Sequence, residues 1–328
     1  MDCILGVDTS NYTTSLCMVS AENGQVLADE RRILPVREGE RGLRQADALF
    51  FHVRHLPLLM DRLMGRVRHD CGDADVVAIG VSTHPRPLAR SYMPVFTAGV
   101  SYAESLGRVL GVPVLRTSHQ EGHIAAATGH WSERRKQPFL VVHLSGGTSD
   151  VVVAEESPWG YRVETVGEGA DLHAGQFIDR VGVALGCPFP AGPALERLAS
   201  THRAGHPVVH IPSRVLGSSM SFSGPCTAAL RAIANGAPPA AVAASVQTAV
   251  ANSVAKAILH ASQDRPALDV CVVAGGVAEN VFIRARIQER VRRVERRLRI
   301  EYAQARLSSD NAFGVARLAW RHWCHSRL

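Results

Sequence analysis

The chain has 328 residues, a mass of 35.3 kDa and 46% hydrophobic content. At roughly 100–200 residues per domain this fits about two domains with cores of their own, and it excludes a disordered or fibrous chain. The formal net charge is +6, and the basic residues are almost all Arg, with Lys only at Lys136 and Lys256, neither in a phosphate-loop or kinase-strand context. A Walker-type or kinase-type lysine is therefore excluded, and any nucleotide would be held by backbone amides, Arg and metal.

In chain order, Ile4-Leu5-Gly6-Val7, Ser15–Val19 and Val26-Leu27-Ala28 are short apolar runs broken by turn residues, which predicts a three-stranded meander with a turn at Glu22-Asn23-Gly24. Helical spacing runs from Leu43 to Leu63 and from Ala98 to Leu110, with buried-strand runs at Val76–Val81 and Val112–Leu115. That order predicts one α/β unit over residues 1–137. A second unit, 138–328, opens with the same grammar: a strand at Phe139–Leu144, a turn at Ser145–Ser149, then strands at Val151–Ala154 and Tyr161–Val166. Helical stretches follow at Ile178–Leu185, Pro193–Ala199 and Ala228–Ala261, then a strand at Val270–Ala274 ending in Gly275-Gly276. A helix from Asn280, a strand near Arg299–Tyr302 and a helix from Asp310 close the chain. Two units of one topology facing each other would form a cleft, the usual place for a nucleotide.

The seven cysteines are scattered and form no C-x-x-C pair, which points away from a disulfide framework or cysteine zinc site and toward a reduced cytosol. The amino terminus lacks a basic segment followed by an apolar core, and no run of ~18 apolar residues is read anywhere along the chain. A cytoplasmic location without membrane contact is expected.

Several residue groups carry candidate chemistry. The Ser145-Gly146-Gly147 and Ala274-Gly275-Gly276 turns follow apolar strands, where backbone amides could meet a phosphate; read blandly, each is an ordinary tight turn. Asp8, just past the first strand and beside Thr9 and Ser10, is placed to hold a hydrated magnesium against phosphates, or else simply forms a turn. Asp8 and Ser10 are the candidate catalytic residues. His119-Gln120-Glu121-Gly122-His123 sets two imidazoles at i and i+4 on one helical face, a spacing that lets both reach one metal. A metalloprotease would have Glu directly after the first His, and Gln120 stands there instead. Asp310 is either a helix N-cap or a third ligand. The Arg-rich stretch from Arg284 to Arg306 is either a solvated amphipathic helix or a surface for a phosphate backbone.

These pieces line up with one family. The sequence resembles the universal tRNA threonylcarbamoyladenosine synthases, long labelled glycoproteases or O-sialoglycoprotein endopeptidases, of the actin, sugar-kinase and Hsp70 ATPase superfamily. The matching motifs, in family order over nearly the whole chain, are Ile4–Ser10, His119–His123, Leu144–Gly147, Gly167-Glu168 with Phe177–Arg180, Pro190–Pro193, Ser221–Gly224, Val273–Asn280 and Asp310–Ala312. The resemblance implies an α/β actin-like ATPase fold of two similar subdomains around a nucleotide cleft. It implies that His119, His123 and Asp310 ligate one divalent metal, zinc or iron. It also implies that His143, Leu144, Ser145, Gly146, Gly147, Asp179, Gly192, Gly275, Gly276 and Asn280 hold ATP, AMP or threonylcarbamoyl-AMP, with Asp179 on the ribose. The implied reaction passes a threonylcarbamoyl group from its adenylate to adenosine in tRNA, and the implied partners are tRNA, a related actin-like paralogue and a small ATPase.

The chain departs from the family pattern at four places. Asn11–Thr14 stands for an acidic pair, Thr83–Arg90 for a Gly-Pro-Gly turn, Thr148 for a His, and Pro225-Cys226 for a Lys. This marks a divergent paralogue with its metal and nucleotide motifs retained. The alternative to a transferase is a non-catalytic paralogue that binds nucleotide and metal as an assembly or regulatory subunit.

Overall fold

The apolar runs of the first forty residues fold as the expected meander: β1 (Asp2–Thr9), β2 (Thr13–Ser20) and β3 (Val26–Ile33), each antiparallel to the next. The structure is a computed structural model that describes residues 1–10, 12–36, 43–88, 90–129, 131, 135, 137–203, 209–304 and 311–326. Gly24 closes the second hairpin at φ 70°, a conformation open to a residue without Cβ. Then come α1 (Gln45–Cys71), β4 (Asp75–His84), α2 (Phe96–Leu110), β5 (Val114–Ser118) and α3 (His119–Ala127). β4 joins parallel to β1 and β5 parallel to β4, giving the sheet order β3-β2-β1-β4-β5.

The second sheet repeats this plan. β6 (Phe139–Leu144), β7 (Ser149–Ser157) and β8 (Gly160–Gly167) form its meander. α4 (Ala174–Ala184), α5 (Gly192–Ser200), the short hairpin β9 (Arg214–Leu216) and β10 (Ser219–Ser221), α6 (Ser223–Ala234) and α7 (Pro239–Gln263) follow. β11 (Val270–Ala274), α8 (Val281–Val294) and β12 (Arg299–Tyr302) complete the order β12-β11-β6-β7-β8, with β11 parallel to both β6 and β12. The last helix is α9 (Phe313–Ser326).

The chain divides into two compact units, residues 1–134 with 156–162 and 310–328, and residues 135–155 with 163–309. The single boundary expected at 137/138 puts α9 in the second unit, whereas the contacts group it with the first. The alternation of β1 shows why. Cys3, Leu5 and Val7 pack with Leu56, Leu59 and Leu63 of α1, while Gly6 lies on the other face, where a Cβ would meet Ala316 of α9. Gly80 of β4 faces Val315 and Ala319 in the same way. Without side chains at these two positions the helix lies close on the sheet.

Three expectations need correction. The stretch Ala228–Ala261 is two helices, α6 and α7, because Gly236, at φ 77°, and the pair Pro238-Pro239 end one and start the other. Asp8 lies within β1 rather than past its end. An apolar segment long enough for a membrane does exist: α7 qualifies by length and composition, yet it is mostly buried inside the protein. Its Val242, Val246, Val250, Val254 and Ile258 form the centre of the second unit's core.

Candidate metal and nucleotide sites

In the first unit, local capping sets the geometry of α3. Ser118 Oγ accepts the Glu121 N–H (3.2 Å), and the Glu121 carboxylate accepts the Ser118 N–H (3.0 Å) together with the Ser118 and Thr117 hydroxyls (2.7 and 3.2 Å). Glu121 Oε2 thus takes all three of these bonds and fixes the start of α3.

That start leaves His119 and His123 one turn apart. His119 Nδ1 lies 2.9 Å from Oδ1 of Asp8, which is fully buried at the end of β1. An ionised carboxylate only accepts, so Nδ1 carries the proton and Nε2 presents its lone pair. This Nε2 is 3.0 Å from His123 Nε2, with the two rings edge to face and their centroids 4.4 Å apart. Ser82 of β4 donates to the same Asp8 oxygen, while Asp8 Oδ2 is buried with no hydrogen-bond partner among the described residues. Two convergent imidazole nitrogens, one ring held by a carboxylate on its far side, are the arrangement by which histidine ligates a metal. The nitrogen pair therefore fits a cation. Asp310, the expected third ligand, lies outside the described residues, and among the described residues no group of three His, Cys, Asp or Glu is arranged to hold a metal ion.

Ser10 is almost fully buried and donates to the Thr13 carbonyl (3.3 Å), so its hydroxyl is engaged in its own turn. Its carbonyl accepts from His52 Nε2 at 2.7 Å, and the other nitrogen of that ring, Nδ1, lies 2.8 Å from Thr14 Oγ1. His55 Nδ1 reaches the same hydroxyl at 3.4 Å, and burial, with Arg32 and Arg54 nearby, pushes the His55 pKa down. The reading of the sequence missed both histidines. The signal was present, since two His on buried positions of an amphipathic helix need polar partners. His52→Ala is expected to destabilise the protein by about 2–4 kcal/mol, because it opens a cavity and leaves the Ser10 carbonyl and Thr14 hydroxyl without this partner. Denaturant midpoints of the two proteins check this.

The nucleotide residues suggested by resemblance all lie in the second unit. Leu144 is fully buried in the core, so it can serve only through its backbone. A Cβ on Gly275, at φ 99°, would overlap the Leu144 carbonyl oxygen and lie 2.9 Å from His143 Cδ2, so the ends of β6 and β11 meet closely only with glycine there. By contrast, a Cβ on Gly146, Gly147, Gly192 or Gly276 would meet nothing within 4 Å. The backbone is open at these four positions, which is what a cradle for a closely approaching group requires. One amide is already engaged: Gly147 N–H donates to Ser145 Oγ at 3.2 Å. Asp179 accepts the Ala191 N–H at 2.7 Å, and burial raises its pKa against that bond. Asn280 caps α8, its Oδ1 accepting the Ile283 N–H at 2.9 Å.

A further acidic residue had escaped the sequence reading. Asp171 accepts from the Phe222 N–H (2.9 Å) and from the hydroxyls of Ser221 (2.7 Å) and Ser223. Burial alone would raise its pKa; the Ser223 hydroxyl, the Leu172 N–H and the other donors outweigh burial and hold the carboxyl well below the usual range. It latches the Ser221–Gly224 motif to the segment before α4.

Residues 47–317 match the profile of the family described as TsaD, tRNA N6-adenosine threonylcarbamoyltransferase. A relative of that description from Thermus thermophilus is 34% identical over 320 residues, covering 97% of this chain and 92% of that protein. Among solved structures, HypF of T. kodakarensis aligns at a TM-score of 0.61 and 16% identity over 99% of this chain and 48% of that one. The activator of the 2-hydroxyisocaproyl-CoA dehydratase from Clostridium difficile aligns at 0.56 and 13% identity over 99% and 97%. At such identities the likeness concerns the fold alone, and that fold is the actin-like ATPase fold, in which two five-stranded sheets of the same order are built from one chain.

Proposed function

The chain belongs to the tRNA N6-adenosine threonylcarbamoyltransferase family, and on that premise we propose that it passes a threonylcarbamoyl group from threonylcarbamoyl-AMP to the exocyclic amine of an adenosine in tRNA. The observation that carries this reading is the relay in which Asp8 fixes His119 and His119 meets His123 at 3.0 Å. The amine nitrogen attacks the carbamoyl carbon of the mixed anhydride, a C–N bond forms, the C–O bond to phosphate breaks, AMP departs, and the amine proton passes to solvent.

In this reading the first unit supplies orientation and charge. Asp8 keeps the proton of His119 on Nδ1 and so turns the Nε2 lone pair toward His123, while Ser82 steadies the carboxylate and the His52 contact holds the Ser10 turn that follows. His119, His123 and Asp310 would hold a divalent cation, zinc or iron, which supplies Lewis acidity toward the carbamoyl oxygen or an anchor for the threonyl carboxylate. Ser10 contributes by shaping the turn behind Asp8. The second unit supplies binding. The open backbone at Gly146, Gly147 and Gly276, with His143, Leu144, Ser145 and Gly275 behind it, receives phosphate; Asp179 takes the ribose hydroxyls, and Gly192 and Asn280 flank the nucleoside. AMP is a good leaving group, so positioning does most of the work. A related actin-like paralogue and a small ATPase are the expected partners, and the cytoplasm is the expected location.

The test is to incubate the purified protein with threonylcarbamoyl-AMP and a tRNA transcript, alone and with the partner proteins. AMP release in step with formation of threonylcarbamoyladenosine supports the transferase. Nucleotide binding with no product under either condition returns the chain to a binding-only subunit.

A further inference from the structure

The positive charge of this protein is concentrated in one place. Residues 284–299 hold eight Arg and two Glu, an excess of six positive charges, which equals the formal net charge of the entire chain; the remaining 312 residues balance. α8 buries Ile283, Ile287 and Val291, so its apolar stripe is used inside the second unit and its arginines are directed elsewhere. Arg292, Arg293, Arg296, Arg297 and Arg299 are all exposed, and they run from the last turn of α8 across the connection to β12, which is an edge strand of its sheet. Three of the five make ion pairs, Arg293 with Glu289, Arg297 with Glu295 and Arg299 with Glu301. Such exposed pairs hold their charges weakly. In the first two turns of the helix Arg284 stacks on Tyr302 and Arg286 bonds Asn252, so those two are structural.

A favourable interaction with the carbonyl end of α8 accounts for one or two cations. It does not account for five exposed arginines continuing past the helix onto a strand. We propose that the exposed arginines from Arg292 to Arg299 form a docking surface for the phosphate backbone of RNA, engaged by charge rather than by base sequence. The argument for this occupant is charge complementarity: guanidinium groups bind phosphate bidentately, and a polyanion gains by releasing its counterions when a row of cations replaces them. The inference rests on the transferase reading and deepens it, since it assigns the acceptor RNA a docking surface on the second unit of this chain.

The experiment measures filter binding of a tRNA transcript from about 50 to 200 mM salt for wild type, for Arg292→Ala/Arg296→Ala, and for Arg68→Ala/Arg108→Ala, a control that removes the same charge from exposed positions on α1 and α2. The patch variant is expected to bind about tenfold more weakly at 100 mM salt, with the slope of log K against log salt reduced by about 1–2. The control is expected to keep the wild-type slope. Replacing the transcript with one of unrelated sequence is expected to preserve the difference. In the transfer assay the patch variant raises KM for RNA and leaves kcat unchanged. Equal slopes in wild type and patch variant, or an equal loss in the control, overturn the proposal. The binding measurement stands whether or not transfer occurs, so a protein that makes no product yet shows the patch-dependent slope fails the transferase reading alone.

Discussion

Replacing His119 with Ala is expected to reduce threonylcarbamoyl transfer by about 100-fold or more and to lower the metal content of the purified protein, with the fold retained. The expectation follows from where the ring stands. Its Nδ1 is bound to a fully buried carboxylate and its Nε2 lies 3.0 Å from His123, so no other described side chain takes its place between Asp8 and His123. Asp8→Asn provides a finer comparison. An amide nitrogen facing His119 would invert the hydrogen bond and favour the tautomer whose proton sits on Nε2, so a loss of about 10–100-fold is expected without removing a ligand. Metal stoichiometry and kcat/KM for both variants check this. A His119→Ala protein with wild-type metal and wild-type rate contradicts the proposed site.

Gly314→Ala is expected to cost about 3 kcal/mol or more, the largest stability loss for a single methyl group in the first unit. A Cβ at this position overlaps the Gly122 carbonyl oxygen and lies 2.9 Å from the Ala126 nitrogen, so the added methyl meets backbone on α3 and no side chain can swing aside. Gly122 is itself tight, with a Cβ there reaching Val315 at 3.0 Å. The crossing of α9 and α3 thus depends on a glycine from each helix. Because α3 carries both histidines, relief of the overlap would shift them relative to Asp8 on β1. Thermal unfolding with parallel transfer rates checks the prediction; an unchanged midpoint would show that the helices can separate without cost.

Much of this architecture could be read from residue patterns, and the failures have physical reasons. The meanders were legible because β1, β2, β6 and β7 are short apolar runs between turn residues, and a signal of this kind is local. The pairing of His119 with His123 was legible for the same reason, being one helical turn. Contacts between distant segments were not. His52 meets the Ser10 carbonyl 42 residues away, and Asp171 collects donors 50, 51 and 52 residues downstream. Nothing in the sequence near either residue announces its partner. The break between α6 and α7 is different: Gly236 and Pro238 stood in plain view, and the strong Ala/Val periodicity around them masked the stop signal. The open backbone at Gly146 and Gly276 illustrates a third limit, since a sequence shows that glycine is present but not whether a neighbour demands it.

The return of α9 to the first unit has a consequence for how the protein comes into being. β1 and β4 can pair and bury one face on α1 as soon as their segments are made, but the other face, flattened by Gly6 and Gly80, waits for residues near 316. The 185 residues between Ala127 and Phe313 must first leave the ribosome, about 10–40 s at ordinary elongation rates. Throughout that interval a smooth apolar sheet face is exposed on a nascent chain, and the α3 segment lacks the helix against which it packs. Closure is thus a long-range event of high contact order, and the histidine pair acquires its final support only once the residues around Gly314 have been made.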